Sequence, residues 1–282
     1  MHGRGGRTYF CRVSSTSSPT DVSDSNTTTR VHRLADLTWE DVLRLEDPVV
    51  AILPVGATEA HGPHLPLGTD VIIAEAMAEA GGARLAKERI TSVILPAVAY
   101  TAAPFAAGFP GTVSTPVDAV AGVIAAAAEG AERAGSRVLA IANAHLDPTH
   151  VDCLRGAVAA VSAARRIAVA FPDVTRRRLA ERLTEEFLSG ACHAGRYETS
   201  LVLAARPDLV RPEIAAALDP NPASLVDAVD AGHRTFEAAG GARAYFGWPA
   251  EATAEEGRRT IEILGEMLAE SVREALGGAE AT

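Results

Sequence analysis

Val49-Val50-Ala51-Ile52-Leu53 is an unbroken run of apolar, mostly branched side chains, the composition of a strand covered on both faces of a sheet. Three further runs have the same character: Val93-Ile94-Leu95, Val138-Leu139-Ala140-Ile141 and Ile167-Ala168-Val169-Ala170. Helical patterns near 71–88, 117–135, 149–164 and 174–189 alternate with them. Strands alternating with helices of this length predict an α/β protein, a three-layer α/β/α sandwich with a mostly parallel central sheet. Ligands of such sheets sit beyond the carboxyl ends of the strands, so the chemistry is sought just after each apolar run.

Residues 13–29 are almost entirely Ser, Thr, Asp, Asn and Pro, a composition that cannot bury enough apolar surface to offset its ordering entropy. Residues 1–30 therefore read as a disordered leader and 31–282 as a single domain. Thr38 offers a helix N-cap ahead of a helical pattern reaching Leu45. Acidic residues outnumber basic ones 36 to 26, a formal charge of −10, which argues against a nucleic-acid partner. Lys87 is the only lysine, so a Schiff-base mechanism has almost no candidate. No stretch approaches the roughly 18 apolar residues of a membrane helix, the N-terminus lacks an apolar signal core, and cysteines are sparse (Cys11, Cys153, Cys192). These features predict a cytoplasmic protein.

The loop after the first strand contains Glu59, His61, His64 and Asp70; the segment after the third contains Asn143, His145, Asp147 and His150. These two windows, 59–70 and 143–150, hold four of the eight histidines. In extended chain, residues i and i+2 project to the same side. Glu59 with His61, and His145 with Asp147, would each offer an imidazole and a carboxylate together, with Asp70 at the next helix start reaching between them. That donor set suits Zn, Mn or Fe, and there are enough ligands for two ions. His64 and His150 suit the orienting partners that metal-bound groups need. A third cluster, Cys192-His193-Ala194-Gly195-Arg196-Tyr197-Glu198-Thr199-Ser200, offers His193 as a proton carrier. Glu198 could orient that histidine, bind metal or simply favour the first turn of a helix.

The pattern Glu59-x-His61-Gly-x-His64-Leu-Pro-x-x-Thr69-Asp70, then Asn143-x-His145, then His193-Ala-Gly-x-x-Glu198-Thr-Ser resembles the creatininase (creatinine amidohydrolase) family of metal-dependent hydrolases. Phe109-Pro110-Gly111-Thr112 and the late Gly247-x-Pro249-x-x-Ala252-Thr253-x-Glu255-x-Gly257 are similar to that family as well. The resemblance implies two divalent cations bridged by Asp70, with His61 and His145 on one, Glu59 and Asp147 on the other, and His193 and Glu198 in catalytic roles. It also implies a homo-oligomer, often a hexamer. Creatininase proper has Glu where Asp147 stands, so a carboxylate is kept but is one methylene shorter. The stretch Ala102-Ala103-Pro104-Phe105-Ala106-Ala107-Gly108 makes the pocket wall more apolar than in many members.

The expected activity is hydrolysis of a non-peptide C–N bond in a small cyclic amide or formamide. Paired cations lower the pKa of a shared water from about 15.7 toward 7, and His193 protonates the departing nitrogen. The alternatives are a peptidase of the mycofactocin-precursor type, a branch of the same family, and a metal-binding scaffold without catalysis.

Overall fold

The computed structural model describes residues 30–164 and 167–280; most of the expected leader, residues 1–29, lies outside them. The strands are β1 (Val31–Arg33), β2 (Val49–Val55), β3 (Thr91–Ile94), β4 (Val138–Asn143) and β5 (Ala168–Ala170). They form one sheet in the order β1-β3-β2-β4-β5, and every pairing is parallel. The helices are α1 (Trp39–Leu43), α2 (Thr69–Lys87), α3 (Val117–Arg133), α4 (Pro148–Ala164), α5 (Arg177–Ala180), α6 (Glu185–Ser189), α7 (Arg196–Ala205), α8 (Pro212–Ala216), α9 (Leu225–Asp230) and α10 (Ala254–Glu280).

Alternation along the central strands explains the three layers. Val50 and Ile52 of β2, with Val138, Ala140 and Ala142 of β4, face a core built with Ile73 and Met77 of α2, Leu201 of α7 and Leu268 of α10. Ala51, Leu53 and Val55, with Leu139 and Ile141, face Val120 and Ile124 of α3 and Leu154 and Val161 of α4. Every residue of β2 and β4 is buried, as the continuous apolar runs require. Fully burying a side chain such as Ile52 contributes about 1.5–3 kcal/mol relative to leaving it exposed. A smaller cluster around Phe105, Phe236 and Phe246 forms a separate apolar group.

This topology creates the crevice. From β2 the chain leaves into α2 on one face of the sheet, whereas from the neighbouring β4 it leaves into α4 on the other. The carboxyl ends of β2 and β4 thus flank a switch point, where open α/β sheets bind ligands. Gly56, just past β2, lies so close to α2 that a Cβ there would come within 2.6 Å of Val71 N and 2.9 Å of Asp70 Cβ. The absent side chain lets the start of α2, and Asp70 with it, sit against the strand end.

Two elements differ from the sequence expectation. The helical pattern over 174–189 is two short helices, α5 and α6. Thr184 breaks it by adopting extended backbone (φ −74°, ψ 161°) and accepting a hydrogen bond from Phe187 N, which starts a new helix. β1 is a strand outside the four apolar runs, paired in register with β3 (Val31 opposite Ser92). Thr38 caps α1 as its position suggests, in a reciprocal capping box with Asp41. No helix among the described residues is long and apolar enough to cross a membrane.

Candidate metal centre

Asp70 stands at the middle of the switch-point crevice. Its Oδ1 is 3.1 Å from His61 Nε2 and its Oδ2 is 3.0 Å from His145 Nδ1. Glu59 Oε1 lies 3.3 Å from His145 Nδ1 and 3.9 Å from both His61 Nε2 and His193 Nδ1. Glu198 Oε2 is 3.4 Å from His61 Nε2. All six side chains are buried, His193 being the most exposed at 7%. Three overlapping groups have ligand atoms mutually within 4.8 Å: Glu59, Asp70 and His145; His61, Asp70 and Glu198; and Glu59, His61 and His193.

Backbone carbonyls fix which ring nitrogens face inward. His61 Nδ1 lies 3.1 Å from Glu59 O, His145 Nε2 2.9 Å from Ala102 O, and His193 Nε2 3.0 Å from Ala60 O. A carbonyl only accepts, so each of these nitrogens carries the proton and donates it. In the neutral rings, the other nitrogen then turns a lone pair toward carboxylate oxygens. Glu59 Oε2, His61 Nε2 and Asp70 Oδ2 are buried without a hydrogen-bond partner. Facing lone pairs and three buried carboxylates need positive charge between them, and nitrogen and oxygen donors in this mixture fit divalent transition metals.

The electrostatics agree. Burial disfavours a charged His61, but Asp70, Glu198 and Glu59 outweigh it and hold its pKa up at about 10. His145 is likewise held well above the ordinary histidine value by Glu59 and Asp70, against its burial. Burial pushes Asp70 up, yet the two imidazoles prevail and leave it below the usual carboxylate range. Glu198 rises to about 8 through burial and repulsion by Asp70 and Glu59, partly offset by His61 and the Ala194 N–H. His193 falls well below its ordinary value, through burial and then the neighbouring His61, and is neutral at pH 7.

The structure regroups the predicted ligands. His61 and His145 lie on opposite oxygens of Asp70 rather than together. Glu198, expected among the catalytic residues, enters a ligand group with His61 and Asp70. Asp147 is outside all three groups: its Oδ1 accepts from Thr149 N at 2.8 Å, and its Oδ2 from Phe105 N at 3.2 Å. His64 and His150 stand behind the centre, His64 Nε2 2.9 Å from Thr199 Oγ1 and His150 Nε2 3.0 Å from Asn143 Oδ1. The Phe109-Pro110-Gly111-Thr112 turn supports the first loop, since Thr112 Oγ1 accepts from Ala60 N at 3.1 Å. Phe236 was not legible in the sequence; its ring lies 4.2 Å from that of His193 and packs on Phe105.

The fold thus places an imidazole–carboxylate cluster at the switch point of a parallel α/β/α sheet. The chain belongs to the creatininase family: the model of that family, creatinine amidohydrolase, matches residues 35–272. It is 32% identical over 228 residues to the mycofactocin precursor peptide peptidase of Mycolicibacterium smegmatis, covering 78% of this chain and 81% of that protein. It is 28% identical over 194 residues to the creatinine amidohydrolase of Pseudomonas putida, covering 63% of this chain and 73% of that one. The crystal structure of a creatinine amidohydrolase superposes with a TM-score of 0.68 at 25% identity, covering 86% of this chain and 97% of that chain.

Proposed function

We propose that this chain is a metal-dependent amidohydrolase that holds two divalent cations astride Asp70 and cleaves an amide C–N bond. The observation that carries this reading is the convergence of His61 Nε2 and His145 Nδ1 on the two oxygens of Asp70, 3.1 and 3.0 Å away, in a buried centre that also holds Glu59 and Glu198. His61, Glu198 and Asp70 would hold one cation, and His145, Glu59 and Asp70 the other. Solved creatininases with the same fold include a Mn form and a Zn–Zn form, which supports zinc or manganese. Such cations, when bound, supply a nucleophile from water at neutral pH and draw electron density from the amide carbonyl.

The protein's own residues do the rest. His193 keeps its Nε2–H on Ala60 O, which aims Nδ1 at the centre. Neutral at pH 7, it takes up a proton at Nδ1 and hands it to the departing nitrogen. Glu198 Oε2 accepts from Ala194 N at 2.6 Å and so steadies the turn that carries His193. Phe236 shields the face of that ring from water.

Two substrate readings follow from different observations. Identity of 32% to a precursor-peptide peptidase over four-fifths of both chains favours an amide bond in a short peptide. Burial of every ligand beside the phenylalanines favours a small cyclic amide or formamide. In either case we expect a cytoplasmic homo-oligomer, hexameric in keeping with the family, acting on a small-molecule amide or a short peptide and not on nucleic acid. Zinc- and manganese-loaded protein assayed against cyclic amides, formamides and short peptides separates the readings. A well-folded sample that takes up neither metal overturns both, and one that binds metal but turns over none of these substrates favours the scaffold.

A further inference from the structure

Glu186, in α6, belongs to none of the motifs above, yet it is only 2% exposed. No cationic side chain pairs with it among the described residues. Three backbone N–H groups surround its carboxylate instead: Arg196 N at 2.8 Å and Trp248 N at 2.7 Å on Oε1, and Tyr197 N at 2.5 Å on Oε2. Two glycines leave room for it. A Cβ on Gly195 would come within 2.8 Å of both oxygens, and one on Gly247 would overlap Oε1.

The donors have a common consequence. Arg196 and Tyr197 open α7, and their N–H groups are among the first four that a helix leaves unpaired. Gly195, at the N-cap, has no side chain to receive them, so a carboxylate from another helix does so, where negative charge also meets the helix dipole favourably. The first turn of α7 carries Glu198, and the turn before it carries His193 and Ala194, the latter in left-handed backbone (φ +50°). Trp248, the third donor, follows the segment in which Phe246 N donates to His193 O at 2.8 Å. One carboxylate thus tethers the backbone on both sides of His193.

We propose that Glu186 is a positioning residue of the metal centre: by capping α7 and anchoring residue 248, it sets where Glu198 and His193 stand relative to Asp70 and His61. The inference rests on the amidohydrolase reading above.

The test measures zinc affinity by competition with a chromophoric chelator, alongside thermal melting and steady-state kinetics. Glu186→Gln turns an amide N–H₂ toward backbone donors. It is expected to weaken zinc binding about 10- to 100-fold, the range for partners that orient metal ligands, and to lower kcat with KM nearly unchanged. A second pair covers the case in which that variant does not fold. Arg196→Ala removes the side chain that pairs with Glu251 and Glu256; Arg196→Pro also removes the N–H donated to Glu186, at a first-turn position where proline is tolerated. The proline variant should bind zinc several-fold more weakly than the alanine variant. The proposal is overturned if Glu186→Gln folds and melts lower but binds zinc and turns over as wild type does, or if the two Arg196 variants bind zinc equally. Wild-type protein that binds neither zinc nor manganese overturns the amidohydrolase reading itself, and this inference with it.

Discussion

Glu59 Oε1 lies 3.3 Å from His145 Nδ1 although the proton of that imidazole is committed to Ala102 O on the far side of the ring. In the neutral ring the short distance therefore joins two lone pairs. The same holds between Asp70 and His61. Asp70→Asn keeps the shape and removes the charge that both halves of the centre share. We predict loss of both cations, read as metal per chain by atomic emission, with the fold retained by circular dichroism. Two cations retained at wild-type affinity would refute the bridging role.

In the metal-free protein, protons occupy the positions we assign to cations, which fixes a pH dependence. His61 rises from 6.5 in the unfolded chain to about 10 in the folded one. Its contribution is complete below pH 6.5 and is lost as pH rises through about 10. Glu198, raised from 4.5 to about 8, also favours the folded state less as pH climbs from 4.5 to 8. The melting temperature of chelator-treated protein should fall between pH 6.5 and 10. Zinc affinity should rise over the same interval, because binding displaces those protons. Zinc affinity independent of pH would contradict this assignment.

Asp147 gives a prediction of a different kind. It accepts from Thr149 N at the start of α4 and from Phe105 N, so Asp147→Ala should cost about 1 kcal/mol in chemical denaturation, while metal content stays as in wild type. Loss of one cation on this substitution would return Asp147 to the ligand set.

His193→Ala removes the proton carrier and a ring that packs between His61 and Phe236. Turnover should fall about 10²- to 10⁴-fold, with zinc still bound through Asp70, His145 and Glu59. Full turnover on the true substrate would show that another group carries the proton.

Much of this was legible in the sequence, for identifiable reasons. The runs at 49–53 and 138–141 are apolar at every position because both faces of β2 and β4 are covered, and that pattern alone indicates a parallel sheet. Glu59, His61 and His145 were legible because they closely follow those runs, and Asp70 because it opens the next helix. How they divide around Asp70 was not, since it depends on Ala102 O, Glu59 O and Ala60 O, carbonyls on loops that sequence spacing does not place. β1 is too short and too polar to announce itself. Glu186 falls in the last turn of the helix expected over 174–189 and belongs to no motif; its role comes from backbone at 196, 197 and 248, brought together only by the fold.

We propose that two cations flank Asp70. The most direct test is a crystal of zinc-loaded protein measured at the zinc absorption edge. We predict two anomalous peaks, one among His61, Glu198 and Asp70 and the other among His145, Glu59 and Asp70. A map with no peak between these side chains would contradict it.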